Sequence, residues 1–303
     1  MKTAAIDAPM EANVRAPVRG RFVADFAELV KARLTLLVLL TTAVGFYLGA
    51  QPPINYVALF HVVFGTAAAA AGAAALNQWW ERRLDAMMHR TRTRPVPAGR
   101  MRPVEAFVLG SALSLFGVGY LIVFCNALSA ILAAVTIVIY IFGYTPLKRI
   151  TTANTLVGAI PGALPPVIGW AAARGTIEAG AWSLFAIMVL WQLPHFFAIA
   201  WMYRDDYARA GFRMISSDDQ SGERSASQSV FFCILLLVVA GLPAFLGITT
   251  MIYLAIELLL GGLFIAVAMR FLKTRTPADA RLLFLSSIVY LPLLLGALVL
   301  TKS

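Results

Sequence analysis

The sequence carries little charge for its length. Of its 303 residues, 13% are Asp, Glu, Lys or Arg, whereas a soluble domain carries about 25%. Hydrophobic residues reach 60%, and the mean hydropathy is +0.79. This composition excludes an ordinary soluble enzyme, a disordered chain and a nucleic-acid-binding domain. We therefore expect a protein surrounded by membrane lipids, with no nucleic acid among its partners.

Cysteine is scarce as well. Cys125 and Cys233 are the two cysteines and show no CxxC spacing, which argues against a disulfide framework or a cysteine metal site. The tail of residues 1–33 lacks the apolar core of a signal peptide. It also contains acidic residues that a mitochondrial presequence avoids: Asp7, Glu11, Asp25 and Glu28. These absences favour a bacterial inner membrane over a mitochondrial one.

Long apolar stretches are abundant. A membrane-crossing helix needs about 20 mostly apolar residues, and nine stretches approach or exceed that length. We expect an all-α, polytopic membrane protein in which a cytoplasmic N-terminal tail, residues 1–33, precedes a single transmembrane domain, residues 34–303. The predicted spans of this nine-helix bundle are 34–50, 56–80, 104–124, 127–143, 152–173, 181–203, 229–248, 250–271 and 282–301.

The 25 basic residues are distributed unevenly over this topology. With nine spans, 23 of them fall on one side of the membrane, and the other side receives only Arg174 and Lys302. Cytoplasmic loops carry such an excess of Lys and Arg. The N-terminus and the basic loops are therefore predicted to be cytoplasmic.

Acidic and amide side chains line the end of the second span on this basic side. Asn77, Glu81 and Asp85 recur every four residues, which places them in one stripe along a helix that continues beyond the membrane. Oxygen ligands of this kind suit Mg²⁺, which shares its coordination shell with water and substrate phosphate. Charged residues at helix ends are also common in ordinary interfacial loops, so the stripe alone leaves both interpretations open.

A second acidic pair, Asp205 and Asp206, follows the sixth span. Basic residues occur in two other loops of the same side, and cations beside metal-binding carboxylates are what a diphosphate site requires. These residues are Arg90, Arg92, Arg94, Lys148 and Arg149. Together the clusters predict a metal–diphosphate site at the cytoplasmic mouth of the bundle.

Ionisable residues within spans are candidates for function. His195 lies on the span that ends near Asp206, about 16 Å away along a helix, which would place it partway down a cavity below the carboxylates. A hydrogen bond to a neighbouring helix is an equally good interpretation of His195, and we interpret His61 as structural. In the fifth span, the Pro- and Gly-rich stretch 158–166 predicts a break in the helix.

These motifs resemble those of the UbiA superfamily of intramembrane prenyltransferases, and within it the branch that prenylates heme. The resemblance covers roughly residues 25–300. The Asn77, Glu81 and Asp85 series matches the first superfamily motif, with Glu in place of the middle Asp. Further matches lie at 90–95, 144–149, 162–170 and 191–196. In the second acidic motif Tyr203 takes the first position, which is a departure from the fuller motif of quinone-type relatives.

The resemblance implies transfer of the farnesyl group of farnesyl diphosphate to a vinyl group of protoheme IX, with heme as substrate and Mg²⁺ as cofactor. It implies heme A synthase as a protein partner. It assigns metal binding to Asn77, Glu81, Asp85, Asp205 and Asp206, and catalysis to the first three together with Lys148 and Arg149. It assigns substrate binding to Arg90, Arg94, Tyr144, His195, Asp206 and Tyr207. The alternatives are prenylation of an aromatic quinone precursor and, from another class, membrane transport.

Overall fold

Fifteen helical segments make up most of the computed structural model, which describes residues 19–303. The part of the predicted tail at 1–18 lies outside the described residues. The helices are α1 (Arg19–Leu29), α2 (Ala32–Gly49), α3 (Tyr56–Asp85), α4 (Pro103–Phe124), α5 (Ala127–Val138), α6 (Thr145–Leu147), α7 (Asn154–Arg174), α8 (Ala179–Met202), α9 (Arg204–Arg209), α10 (Glu223–Ala240), α11 (Leu242–Phe245), α12 (Met251–Thr274) and α13 (Pro277–Leu300). A π-helical segment, Ile139–Tyr144, joins α5 to α6, and a 3₁₀ turn, Ile215–Ser217, precedes α10.

Nine helical segments of the described chain are long and apolar enough to cross a membrane, which confirms the predicted all-α bundle. Their ends differ from the predicted spans by a few residues. The largest extensions are at α3, which continues to Asp85, at α10, which begins at Glu223, and at α13, which begins at Pro277. All three extensions contain charged residues, so hydropathy could not include them.

Helix α7 lies at the centre of the bundle, between α2, α5 and α8. The predicted break in this span is wrong, because Asn154–Arg174 is one continuous helix with Pro161, Pro165 and Pro166 inside it. A proline removes one helical hydrogen bond without forcing the helix to end. All three prolines are buried among the neighbouring helices, which hold the segment in place.

Small residues allow close packing beside this centre. A methyl group added at Gly72 of α3 would overlap Ser114 of α4, and one added at Gly45 of α2 would overlap the carbonyl of Pro166. Small residues let membrane helices approach closely, since lipid gives them little hydrophobic reason to associate. Gly72 thus lies where α3 packs closely against α4.

The polar end of the bundle collects the segments that the sequence places on its basic side. The amide N–H of Arg213 donates to the carbonyl of Lys148 at 2.6 Å, and the side chain of Asn154 donates to the carbonyl of Arg213 at 2.6 Å. The side chain of Gln78 donates to the carbonyls of Glu28 and Leu29, at 2.8 Å and 3.0 Å. These bonds tie the loops that contain Lys148 and Arg213 to the start of α7, and α1 to α3.

Candidate active site at the polar end of the bundle

The stripe on α3 is buried and paired with cations. Asn77, Glu81 and Asp85 expose 1%, 3% and 1% of their surface, and they fall within one helix because α3 extends beyond its apolar part. Each of these side chains accepts a hydrogen bond from a different basic residue outside α3. The structure therefore brings together the three predicted oxygen ligands and a set of positive charges.

Lys148 contacts the middle of the stripe. Its ammonium donates to both carboxylate oxygens of Glu81, at 2.7 Å and 3.0 Å, and lies 4.5 Å from the centre of the Tyr144 ring. The wider π-helical turn before α6 precedes Lys148, and such segments are frequent at functional sites. Burial lowers the pKa of Lys148, but the Glu81 carboxylate outweighs that effect and holds the pKa above its ordinary value. Lys148 therefore stays charged.

Arg94 contacts the last member of the stripe, and its guanidinium donates to a carboxylate oxygen of Asp85 at 2.7 Å. The same loop is tied back to α3 by Thr91, whose hydroxyl donates to the carbonyl of Asp85 at 2.9 Å. Asp85 is buried and Arg94 is partly buried, so each partner compensates a charge that would otherwise be costly to desolvate.

Lys31 contacts the first member of the stripe and is a site residue that sequence reasoning missed. Its ammonium donates to the side-chain oxygen of Asn77 at 2.8 Å and to the Tyr140 hydroxyl at 3.2 Å. Burial, followed by the neighbouring Arg94 and Lys148 charges, lowers the pKa of Lys31 to about 7. In the sequence Lys31 is one basic residue of the tail, with no spacing that links it to Asn77.

The two residues of the second acidic pair, Asp205 and Asp206, lie in different environments. Asp206 is buried and accepts from the backbone N–H groups of His89 and Arg90, at 3.4 Å and 3.2 Å, and it pairs with Arg209. Burial opposes the charged form of Asp206, but these hydrogen bonds and Arg209 hold its pKa below the usual range. Asp205 is 90% exposed and lies 3.9 Å from Arg204. Only Asp206 therefore contacts the loop of residues 86–102.

Arg90 and Tyr207 lie together beside Asp206. The Arg90 guanidinium is 5.9 Å from the centre of the Tyr207 ring and 5.4 Å from that of Tyr203. Arg149 is exposed, and among the described residues no hydrogen bond or ion pair involves its side chain. The predicted basic residues thus separate into partly buried ones on the stripe and exposed ones around it.

His195 lies between two helices of the bundle. Its Nδ1 is 2.7 Å from the Ser287 hydroxyl of α13, and its ring packs against Trp191 and Phe284, with centroids at 5.3 Å and 4.9 Å. The hydrogen bond to a neighbouring helix is thus present. His61 makes a similar contact with α4, since its Nδ1 is 2.7 Å from the Tyr120 hydroxyl.

The donor set of the stripe fits a divalent metal that is bound together with an anion. Within residues 19–303, no three His, Cys, Asp or Glu side chains lie close enough to hold a metal by themselves. Asn77, Glu81 and Asp85 nevertheless supply an amide and two carboxylates, and Mg²⁺ commonly completes its shell with water and substrate phosphate. Three basic side chains face only two carboxylates here, so an anion that brings a metal with it would pair with the third base and favour its charged form.

The fold and the site together define a membrane protein in which a bundle of apolar helices carries a buried cluster of acidic, amide and basic side chains at one end. The sequence profile of the UbiA prenyltransferase family matches residues 38–290. The chain belongs to this family.

Curated relatives cover nearly the whole chain. The protoheme IX farnesyltransferase of Solibacter usitatus is 44% identical over 92% of this chain and 98% of its own length. The protein of the same name from Opitutus terrae is 43% identical over 94% of this chain and 97% of its own length. Both are bacterial proteins.

Solved structures share the fold at low sequence identity. A digeranylgeranylglyceryl phosphate synthase superposes with a TM-score of 0.77 at 16% identity, covering 93% of this chain and 98% of that one. A UbiA homologue of Archaeoglobus fulgidus bound to GPP and Mg²⁺ gives a TM-score of 0.64 at 14% identity, covering 90% of this chain and 99% of that one. These likenesses establish the helical architecture of the bundle.

Proposed function

We propose that this protein transfers the farnesyl group of farnesyl diphosphate to a vinyl group of protoheme IX, forming heme O and diphosphate. The observation that carries the proposal is the buried stripe Asn77, Glu81 and Asp85 with its three cations, in a chain whose curated relatives are named protoheme IX farnesyltransferase. The site offers the charges that a diphosphate leaving group needs, at the edge of an apolar bundle that suits a prenyl chain.

The reaction separates into bond breaking and bond making. The carbon–oxygen bond between farnesyl and diphosphate breaks, and the electron pair leaves with the diphosphate. The allylic cation is attacked by the vinyl carbon of the porphyrin, and water adds to the resulting cation and releases a proton. A residue that acts as a nucleophile is not required, and the protein contributes by stabilising charge and positioning the two substrates.

The stripe and its basic partners would stabilise the negative charge of the diphosphate in two different ways. Asn77, Glu81 and Asp85 would hold Mg²⁺, which supplies positive charge beside the departing diphosphate. Lys148 and Arg94 are aimed at the same space and would donate to phosphate oxygens once the anion competes with Glu81 and Asp85 for them.

The second group of predicted residues would act around this centre. Asp206 positions the loop that bears Arg90 and Arg94 through two backbone hydrogen bonds, so we assign it to substrate positioning and, with Asp205, keep it as a candidate for a second metal contact. Arg149 stays a proposed catalytic residue, and Arg90, Tyr144 and Tyr207 stay proposed substrate contacts. His195 stays our candidate for contact with heme.

The discriminating experiment offers two acceptors to the same membranes. Membranes that contain the protein are incubated with farnesyl diphosphate, Mg²⁺ and either heme or 4-hydroxybenzoate, and the pigments and phenols are separated by chromatography. We expect farnesylated heme to form, and 4-hydroxybenzoate to remain unmodified. Prenylation of 4-hydroxybenzoate alone would overturn the proposal and make the protein a quinone-type prenyltransferase.

Transport is the less favoured alternative. A transporter of this kind places interrupted helices and charged groups at the midplane. In the described chain α7 is continuous, and the acidic side chains of the stripe gather at one end of the bundle.

Orientation and partners complete the proposal. The protein is an integral membrane protein, and we place it in the bacterial inner membrane with its N-terminus and the site in the cytoplasm, since 23 of its 25 basic residues fall on that side. We treat residues 34–303 as one transmembrane prenyltransferase domain. Heme A synthase, which would consume heme O, stays the proposed protein partner.

A further inference from the structure

Helix α1 is fixed to the transmembrane bundle. Leu29 is fully buried against Ala75, Val96 and Met101, so the end of α1 packs into the site end of α3 and the following loop. Arg100 of that loop donates to Asp25 at 2.8 Å and to Glu28 at 2.9 Å.

The chain turns sharply after α1. Lys31 has a φ of 51° and a ψ of 51°, the left-handed conformation that costs roughly 1–2 kcal/mol for a residue other than glycine. The turn is held by the hydroxyl of Thr35, which donates to the carbonyl of Val30 at 2.8 Å, and by the amide of Leu34, which donates to the carbonyl of Lys31 at 2.8 Å. This turn separates α1 from α2 and directs the Lys31 side chain into the site.

The ammonium of Lys31 has donor capacity left over. Two of its three N–H groups are used by Asn77 and Tyr140. Asn77 itself is held by its amide group, which donates to the Thr145 hydroxyl at 3.2 Å. Lys31, Lys148 and Arg94 contact successive members of one stripe, so the three cations repel one another, and an anion between them would relieve that repulsion.

We propose that Lys31 is a diphosphate-binding residue of this site, held in place by α1 and its contact with Arg100. The inference rests on the proposed function, because it assigns Lys31 to the same leaving group. When the anion enters, the ammonium donates to a phosphate oxygen and releases the side-chain oxygen of Asn77 for the metal. Binding of the anion to Lys31 would thus make the side-chain oxygen of Asn77, the first ligand of the stripe, available to the metal.

The test measures binding separately from catalysis. Wild-type protein and the variants Lys31→Met, Lys31→Arg and Lys273→Met are purified in lipid nanodiscs, and binding of inorganic pyrophosphate with Mg²⁺ is measured by calorimetry. Lys273 is an exposed lysine near the end of α12 and provides the matched control. Binding of heme is followed by its absorbance in the same samples.

We expect Lys31→Met to weaken pyrophosphate binding at least tenfold, whereas Lys31→Arg keeps it within about threefold because the charge remains. Lys273→Met should change nothing, and heme affinity should be the same in all four proteins. Arg100→Met, which loosens α1 without removing the ammonium, should weaken pyrophosphate binding by about threefold and remains informative if Lys31→Met does not fold.

Two results separate the inference from the proposed function. If Lys31→Met binds pyrophosphate as tightly as wild type, the assignment of Lys31 is wrong even where wild type farnesylates heme. If wild type fails to farnesylate heme while Lys31→Met still loses pyrophosphate affinity, the proposed acceptor is wrong and Lys31 remains a diphosphate-binding residue.

Discussion

The Glu81–Lys148 pair provides the sharpest test of the buried site, because it separates a structural role from a functional one. The two side chains are 5% and 13% exposed and their charged atoms are 2.7 Å apart. Removing one partner of a buried ion pair typically costs about 3–5 kcal/mol, since the other charge remains desolvated and unpaired. Glu81→Gln keeps an oxygen that can accept from Lys148, so we expect the lower end, about 3 kcal/mol.

The double variant is expected to behave differently. Glu81→Gln with Lys148→Met removes both charges, so no buried ion is left uncompensated. If the effects of Glu81→Gln and Lys148→Met were additive, their sum would give the free energy of unfolding of the double variant. We expect the actual free energy of unfolding to be about 2–3 kcal/mol higher than that, as is usual for residues in direct contact. Farnesyl transfer should fall about 10³-fold in Glu81→Gln, in Lys148→Met and in the double variant, because both side chains are assigned to charge stabilisation.

The assay compares unfolding midpoints in detergent with rates of farnesyl transfer, and uses Lys273→Met as the surface control. Surface changes of this kind normally stay within about 0.5 kcal/mol. Additive destabilisation in the double variant would refute the ion-pair argument. If the double variant recovered farnesyl transfer as well as stability, the pair would serve the fold and not the reaction.

Three further predictions concern the loop, the metal and the helix packing. Asp206→Asn should release the loop of residues 86–102 and speed its cleavage by trypsin several-fold, whereas Asp205→Asn should not, because Asp205 points into solvent. Chelation by EDTA should abolish farnesyl transfer and added Mg²⁺ should restore it; full activity in EDTA would contradict the metal assignment. Gly169→Ala should lower the unfolding midpoint, since its methyl group would overlap the Thr42 carbonyl, while Gly262→Ala, which has open space around it, should leave the midpoint unchanged or raise it slightly. Equal midpoints for the two glycine variants would contradict the packing argument.

Hydropathy and spacing predict much of this protein because the signals they rely on are local. A run of about 20 apolar residues specifies a membrane helix whatever its neighbours are, which explains the agreement on nine spans. The four-residue spacing of Asn77, Glu81 and Asp85 likewise needs only that α3 continue, and it does. The number of spans and the position of the stripe were therefore accessible from the sequence.

The contacts that complete the site are not local. Lys31 reaches Asn77 because the chain adopts a left-handed conformation between α1 and α2, and no residue pattern near Lys31 indicates that turn. Asp205 and Asp206 are adjacent in sequence, yet the short helix α9 turns one to solvent and the other to the loop at His89. Continuity of α7 through its prolines depends on the helices that surround it. Each outcome depends on tertiary packing, which spacing does not encode.

The basic side chains that contact the α3 stripe are less exposed than those that only favour a cytoplasmic position of their loop. The positive-inside rule needs basic residues only near the membrane surface, and exposed ones such as Arg149 meet it fully. Lys31, Arg94 and Lys148 give up water to lie against the α3 stripe, and topology alone does not compensate that desolvation. Their carboxylate and amide partners compensate part of that cost. Under the proposed function, phosphate oxygens would accept from these cations, and the oxygens of Asn77, Glu81 and Asp85 would then be free to hold the metal. In that case these pairs would keep the side chains of the site in place before the substrate binds and would leave each charged group oriented toward it.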